Sequence, residues 1–152
     1  MSQRPKAEIV YAVEGYYDGP ESGFADFRGH PYRFEVSNEL TVRDRTVRRF
    51  KLSPVSAELL RLALEQQQLW SRWNSAYREG KLPESLLYPE RVLPEDLEAY
   101  RALETRIREG LAKSSGNNAY AEGRFFVGRR TTAFRAFGEH LRVVWSRCRP
   151  AA

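Results

Sequence analysis

Cysteine occurs once in this sequence, at Cys148, and histidine only twice, at His30 and His140. One thiol cannot close an intramolecular disulfide, so the chain folds without covalent staples and a reducing compartment is expected. Three soft or imidazole side chains make a transition-metal site only if all converge or carboxylates join them, so neither a metal nor a cofactor is expected. His30, before a proline, reads as an exposed turn residue and His140 as a polar residue at a strand start. Long apolar runs are missing as well: nowhere do about eighteen apolar residues follow one another, which excludes a membrane-spanning helix. The stretch from Ala7 to Val13 is short and broken by Glu8, unlike the core of a signal peptide. A cytoplasmic protein without membrane contact is the expectation. No GxGxxG, GxxxxGK[ST], HExxH, GxSxG, CxxC or EF-hand signature occurs. Cys148 stands among Arg147, Arg149 and Pro150, where nothing encloses a substrate, and no triad around it is legible.

What is present suffices for one core. The 152 residues suit a single domain over 1–152, and 41% hydrophobic with 12% aromatic content offsets the entropy lost on folding. The net charge of +5 is localised: residues 1–118 are balanced, and the excess lies in 119–152, where seven Arg face Glu122 and Glu139. A second basic run holds Arg43, Arg45, Arg48, Arg49 and Lys51 against Asp44. Such patches attract acidic partners, but a solvated face has the same composition.

Hydrophobic spacing predicts strands first. Ile9, Tyr11 and Val13 alternate with Glu8, Val10, Ala12 and Glu14, a period of two that places the first set on a core. A loop over YYDGPESG, a strand at 24–28, a Gly29-His30-Pro31 turn and a strand through Tyr32, Phe34 and Val36 follow. SNELTVRDR reads as a polar connection to a fourth strand at 46–52. Ser53 and Pro54 then predict a helix start, with Leu59, Leu62, Ala63, Leu69, Trp70, Trp73 and Tyr77 as its apolar stripe, ending near Gly80. Pro94 opens a second helix striped by Leu97, Tyr100, Leu103, Ile107 and Leu111. Strands resume at 120–127 and 140–148, with RRTTAFRAFG between them. The expected fold is α+β: a curved antiparallel sheet of about five or six strands from both chain ends, packed against two amphipathic helices.

Candidate sites are weak. GYYDGPESGFADFRG gathers Tyr16, Tyr17, Phe24 and Phe27 around Asp18 and Asp26, offering aromatic faces and carboxylates to a cationic or planar partner, or simply closing one end of the core. Glu14, Asp18, Asp26 and Glu35 share the first sheet, where two can pair as in glycosidases or lie apart on a surface. Trp70 and Trp73 read as core, with an interface patch as the alternative. Arg124, Arg129, Arg130 and Arg135 interleave with Phe125, Phe126, Phe134 and Phe137, a pattern of nucleic-acid binders that an exposed strand also produces.

The run YAVEGYYDGPESGFADFRGHPYRFE, with LSP opening a Trp-rich helix, resembles a group of small uncharacterised bacterial proteins over roughly residues 8–75. The resemblance implies no activity, only that sheet, helix and Asp18-Gly19-Pro20 turn form a recurrent unit. The group has an acidic segment where this chain has TVRDRTVRR. The functional expectation is a non-catalytic binding or adaptor module, with a protein or an acidic molecule as its partner. The alternatives are an enzyme or ligand-binding protein using Asp18, Asp26 or Glu35, and weak nucleic-acid binding through the Arg-rich C-terminal region.

Overall fold

The computed structural model describes residues 6–16, 19–83, 91–113, 116–127 and 141–148. Six strands appear: β1 (Ala7–Tyr16), β2 (Pro20–Phe27), β3 (His30–Val42), β4 (Arg45–Pro54), β5 (Ala119–Val127) and β6 (Leu141–Ser146). Helices α1 (Ala57–Arg78) and α2 (Leu97–Lys113) lie between β4 and β5 in the chain. Each strand pairs antiparallel with the next, and β6 returns to pair with β1. The expected curved sheet is therefore a closed barrel, in which joined stretches have no exposed edge.

Local expectations shift in instructive ways. In β1 the strict alternation fails: Val10, Ala12 and Val13 are buried, whereas Ile9 is 44% exposed. Register shifts between Val10 and Ala12 and between Val13 and Gly15 explain it, because a bulge changes which face the following residues take. The β2–β3 turn is Arg28-Gly29, with φ of 54° and 80°, so His30 and Pro31 belong to β3. The predicted polar connection at 37–45 is strand as well, turned by Arg43-Asp44 with φ of 49° and 64°. Both are two-residue hairpins with left-handed central residues, whose twist matches that of the strands they join. Ser37 sits at a register shift, and its hydroxyl donates to the Arg49 carbonyl at 3.2 Å. Ser53 and Pro54 remain in β4, with the Ser53 hydroxyl donating to Asn118 Oδ1 at 3.0 Å, and the serine-then-helix signal falls instead at Ser56 and Ala57. β6 ends at Ser146, short of Cys148.

The barrel interior is filled by Val10, Val13, Ala25, Phe34, Phe50, Leu52, Ala121, Leu141 and Val143. Phe27, Tyr32, Phe125 and Trp145 pack against them. The Trp145 ring lies 5.7 Å from Phe50, 5.8 Å from Phe125 and 6.1 Å from Phe34 between centroids, at angles of 59–82°. The contacts with Phe50 and Phe125 are edge-to-face, setting the positive ring rim against the negative face, and the one with Phe34 is tilted. Its indole N–H donates to the Asp26 carbonyl on β2 at 2.8 Å. A side chain at Gly123 would put its Cβ 2.6 Å from Trp145 Cζ3, so only glycine there leaves room for the indole.

The strands belong to one compact unit and the helices to another. In the helical unit α1 buries Leu59, Leu62, Ala63 and Trp73, while α2 buries Ile107. Gly110 lets α2 approach the Leu59 side chain. Pro94 begins a 3-10 turn (Pro94–Asp96) that leads into α2, as the proline signal predicts. Arg72 of α1 donates to Asp96 Oδ1 at 3.0 Å. Trp73 is 5% exposed and stacks on Tyr77 with centroids 5.4 Å apart, which supports its reading as core.

Two stability changes follow. Trp145→Phe keeps the ring but leaves the Asp26 carbonyl unpaired, and urea unfolding is expected to show a loss of about 1–3 kcal/mol. Trp73→Ala is expected to cost about 3–5 kcal/mol. An unchanged urea midpoint for either variant contradicts the packing described.

Candidate functional site

The barrel is unevenly sewn. β3 and β4 pair over ten positions, from Tyr32↔Pro54 to Val42↔Arg45. β5 meets β4 only from Leu52↔Ala119 to Arg49↔Glu122, and β6 meets β1 only from Ala7↔Val144 to Ile9↔Arg142. Beyond the Arg49↔Glu122 rung, β4 residues Arg45–Val47 pair with β3 alone, and β5 residues Gly123–Val127 with β6 alone, among the described residues. The seam between β4 and β5 is thus open at this end, and two strand edges face each other across it.

A cleft of about 790 Å³ occupies this opening, within the size range of ligand sites. Its walls include Arg45 and Arg48 of β4, Arg124 and Phe125 of β5, Glu39 of β3 and Pro20 at the start of β2. Arg48 falls on the inward side of β4 with Phe50 and Leu52, so its side chain reaches over the barrel mouth. Its Nε donates to Glu39 Oε1 at 2.9 Å and its Nη1 to the Pro20 carbonyl at 3.3 Å. Arg45 and Arg124 are exposed and form no ion pair among the described residues. Glu122 is 5% exposed, opposite Arg49 in the ladder. The cleft therefore sets Arg45 and Arg124, without ion-pair partners among the described residues, beside the half-buried Phe125, with Glu39 and Glu122 also in its lining and the buried Phe50 beneath it. At the other mouth a hollow of about 560 Å³ is lined by Phe27, Tyr120, Trp145, Arg28 and Arg147. There the Glu8 carboxylate accepts from the backbone N–H groups of Arg28 and Gly29, at 3.1 and 2.7 Å, and fills the anion position of the turn with the chain's own charge.

The residues singled out from the sequence do not converge. Asp26 lies opposite Pro31 and Glu35 opposite Ser22, four rungs apart in the β2–β3 ladder, or about 14 Å along the strands. They therefore do not form an acid–base pair. Asp26 Oδ1 instead accepts from the Tyr11 hydroxyl at 2.8 Å, Glu14 binds Arg33 at 2.6 Å, and Glu35 stands across from Lys51. Tyr16 is 51% exposed at the end of β1; Phe24 is fully buried, whereas Phe27 packs on the barrel interior. The aromatic cluster is thereby divided between surfaces. Tyr17, Asp18, Arg129, Arg130, Arg135 and His140 lie outside the described residues. His30 is exposed at the first position of β3, not in the turn, and Cys148 is half-buried. The described residues contain no group of three or more His, Cys, Asp or Glu placed to hold a metal ion. No described helix is long and apolar enough to cross a membrane.

Arg45, Arg48 and Arg124 were legible only as members of basic runs. A sharper signal lies in SNELTV-RD-RTVRR: alternating β-formers run into and out of a two-residue turn, which marks a long hairpin carrying Arg along one arm.

One titration is measurable. Burial, then the hydrogen bond to Asp26 and the charge of Asp26, pushes the Tyr11 hydroxyl up to about 12. An unfolded tyrosine ionises near pH 10. The folded state thus holds a proton the unfolded state has lost, and this contribution, complete below about pH 10, disappears as pH rises to about 12. Urea unfolding across this window is expected to show a steeper stability loss in the native protein than in Tyr11→Phe; equal slopes contradict the Tyr11–Asp26 bond. No family model matches the chain, and comparison with curated proteins and with solved structures finds no match either.

Proposed function

We propose that the protein is a non-catalytic binding module that takes an acidic partner in the cleft between β4 and β5. The observation that carries this reading is the pair Arg45 and Arg124, exposed on the two walls of one cleft and without ion-pair partners among the described residues. Exposed cations attract carboxylates at any surface, but two on facing walls beside an aromatic ring hold a ligand in one place.

Nucleic acid is the weaker candidate. Its affinity depends on neutralising many phosphates, about six to ten in strong binders, and each released counterion adds to the salt slope. The cleft offers Arg45 and Arg124, and Arg48 is already engaged by Glu39. An acidic polypeptide needs only these two charges to be held at the cleft.

The test is titration calorimetry with hexaglutamate and with an oligothymidylate of similar length, from about 50 to about 200 mM salt. Hexaglutamate is expected to bind, weakening as salt rises, and the double variant Arg45→Glu, Arg124→Glu is expected to lose about tenfold in affinity. Absence of hexaglutamate binding overturns the reading, and tighter binding of the oligothymidylate reassigns the cleft to nucleic acid.

A further inference from the structure

We infer that the partner enters the cleft as an extended segment of another protein and adds to β5 as a strand. This rests on the acidic-partner reading above and goes further, by specifying the backbone conformation and the side-chain pattern of the ligand.

Three observations converge on it. First, β5 from Gly123 to Val127 is paired to β6 on one side and to no described strand on the other. Those five residues span about 17 Å, enough for an added strand of matching length. Backbone N–H and C=O groups along such an edge are a template for another chain, which native proteins normally cover, twist away or charge. At Gly123, Arg124 and Phe125 this edge lines the cleft. Second, the cleft is two-sided in the way a strand is. Phe125 faces the interior cluster and Arg124 faces out, so a ligand alternating apolar and acidic residues sets its apolar side chains toward Phe125 and its carboxylates toward Arg124 and Arg45. Third, the opposite wall is held in place. The β3–β4 arm, beyond the irregularity at Ser37, is tied to the start of β2 by the Arg48 hydrogen bond to the Pro20 carbonyl, while the Arg48–Glu39 pair braces the arm internally, and Arg45 stands across the opening from β5. A preformed slot of this kind lowers the ordering cost of strand addition.

The experiment uses the full chain and capped octapeptides of alternating Glu and Val. One comparison peptide has the same composition in two blocks, Glu then Val. Two others are the alternating peptide N-methylated at odd or at even positions, which removes the hydrogen-bond donors along one edge or the other. The alternating peptide is expected to bind at least about tenfold more tightly than the block peptide, a gap of about 1.4 kcal/mol. At least one N-methylated peptide is expected to lose a similar factor, because its methyl groups face β5. If the alternating, block and both methylated peptides bind equally, with hexaglutamate binding intact, strand addition is wrong and charge alone holds the ligand. If neither hexaglutamate nor any octapeptide binds, the acidic-partner reading falls with it.

Discussion

The Trp145 indole is the point on which the barrel depends. It stands on β6, the strand with the shortest connection back to β1, yet its ring meets Phe34 of β3, Phe50 of β4 and Phe125 of β5, and its N–H reaches the Asp26 carbonyl of β2. Four strands are thus tied by one side chain. Backbone ladders alone hold the β5–β6 ribbon weakly, with four rungs to β4 and three to β1. Edge-to-face aromatic contacts add roughly 0.5–1.5 kcal/mol each beyond the area they bury. Closure here is therefore a matter of core packing as much as of strand pairing, and Gly123 is its necessary counterpart, since a Cβ there collides with the indole.

The same division of labour leaves the open seam. Aromatic packing joins the ribbon to the other strands without requiring β4 and β5 to pair along their full length. Beyond Arg49 and Glu122 the ladder between the two strands stops, and β4 continues into a long arm with β3. The cations of that arm and of β5 then face a common space. The candidate site follows from where the ladders stop.

Much of the element order was legible in the sequence. Periodicity of two marked β5 and β6, with Leu141 and Val143 inward, and periodicity of three to four marked both helices, with Pro94 at the start of the turn into α2. Errors cluster where one residue changes the phase. Bulges in β1 put Val10 and Ala12 in buried positions that alternation assigned to Ile9 and Tyr11, and polar residues at 37–45 hid a strand because an exposed two-stranded arm needs no apolar face. Closure was not legible at all. The rung Ala7↔Val144 joins residues from opposite ends of the sequence, and an open sheet has the same alternation as a barrel. Asp26 and Glu35 looked like neighbours because both belong to the first hairpin, but register separates them. Arg45 and Arg124 looked unrelated, and register brings both to the cleft.

The open seam is the central claim, and residue-resolved amide hydrogen exchange tests it most directly. Over Ala119–Ala121, where β5 pairs with β4 alone, slow exchange is expected at the amides directed at β4, and Glu122 is where the β4 and β6 ladders overlap. Over Gly123–Val127 protection is expected to alternate: amides directed at β6 exchange slowly, and those directed at the cleft exchange at rates close to an unstructured chain. Uniform protection over Gly123–Val127 would show that the seam is closed and would contradict this account.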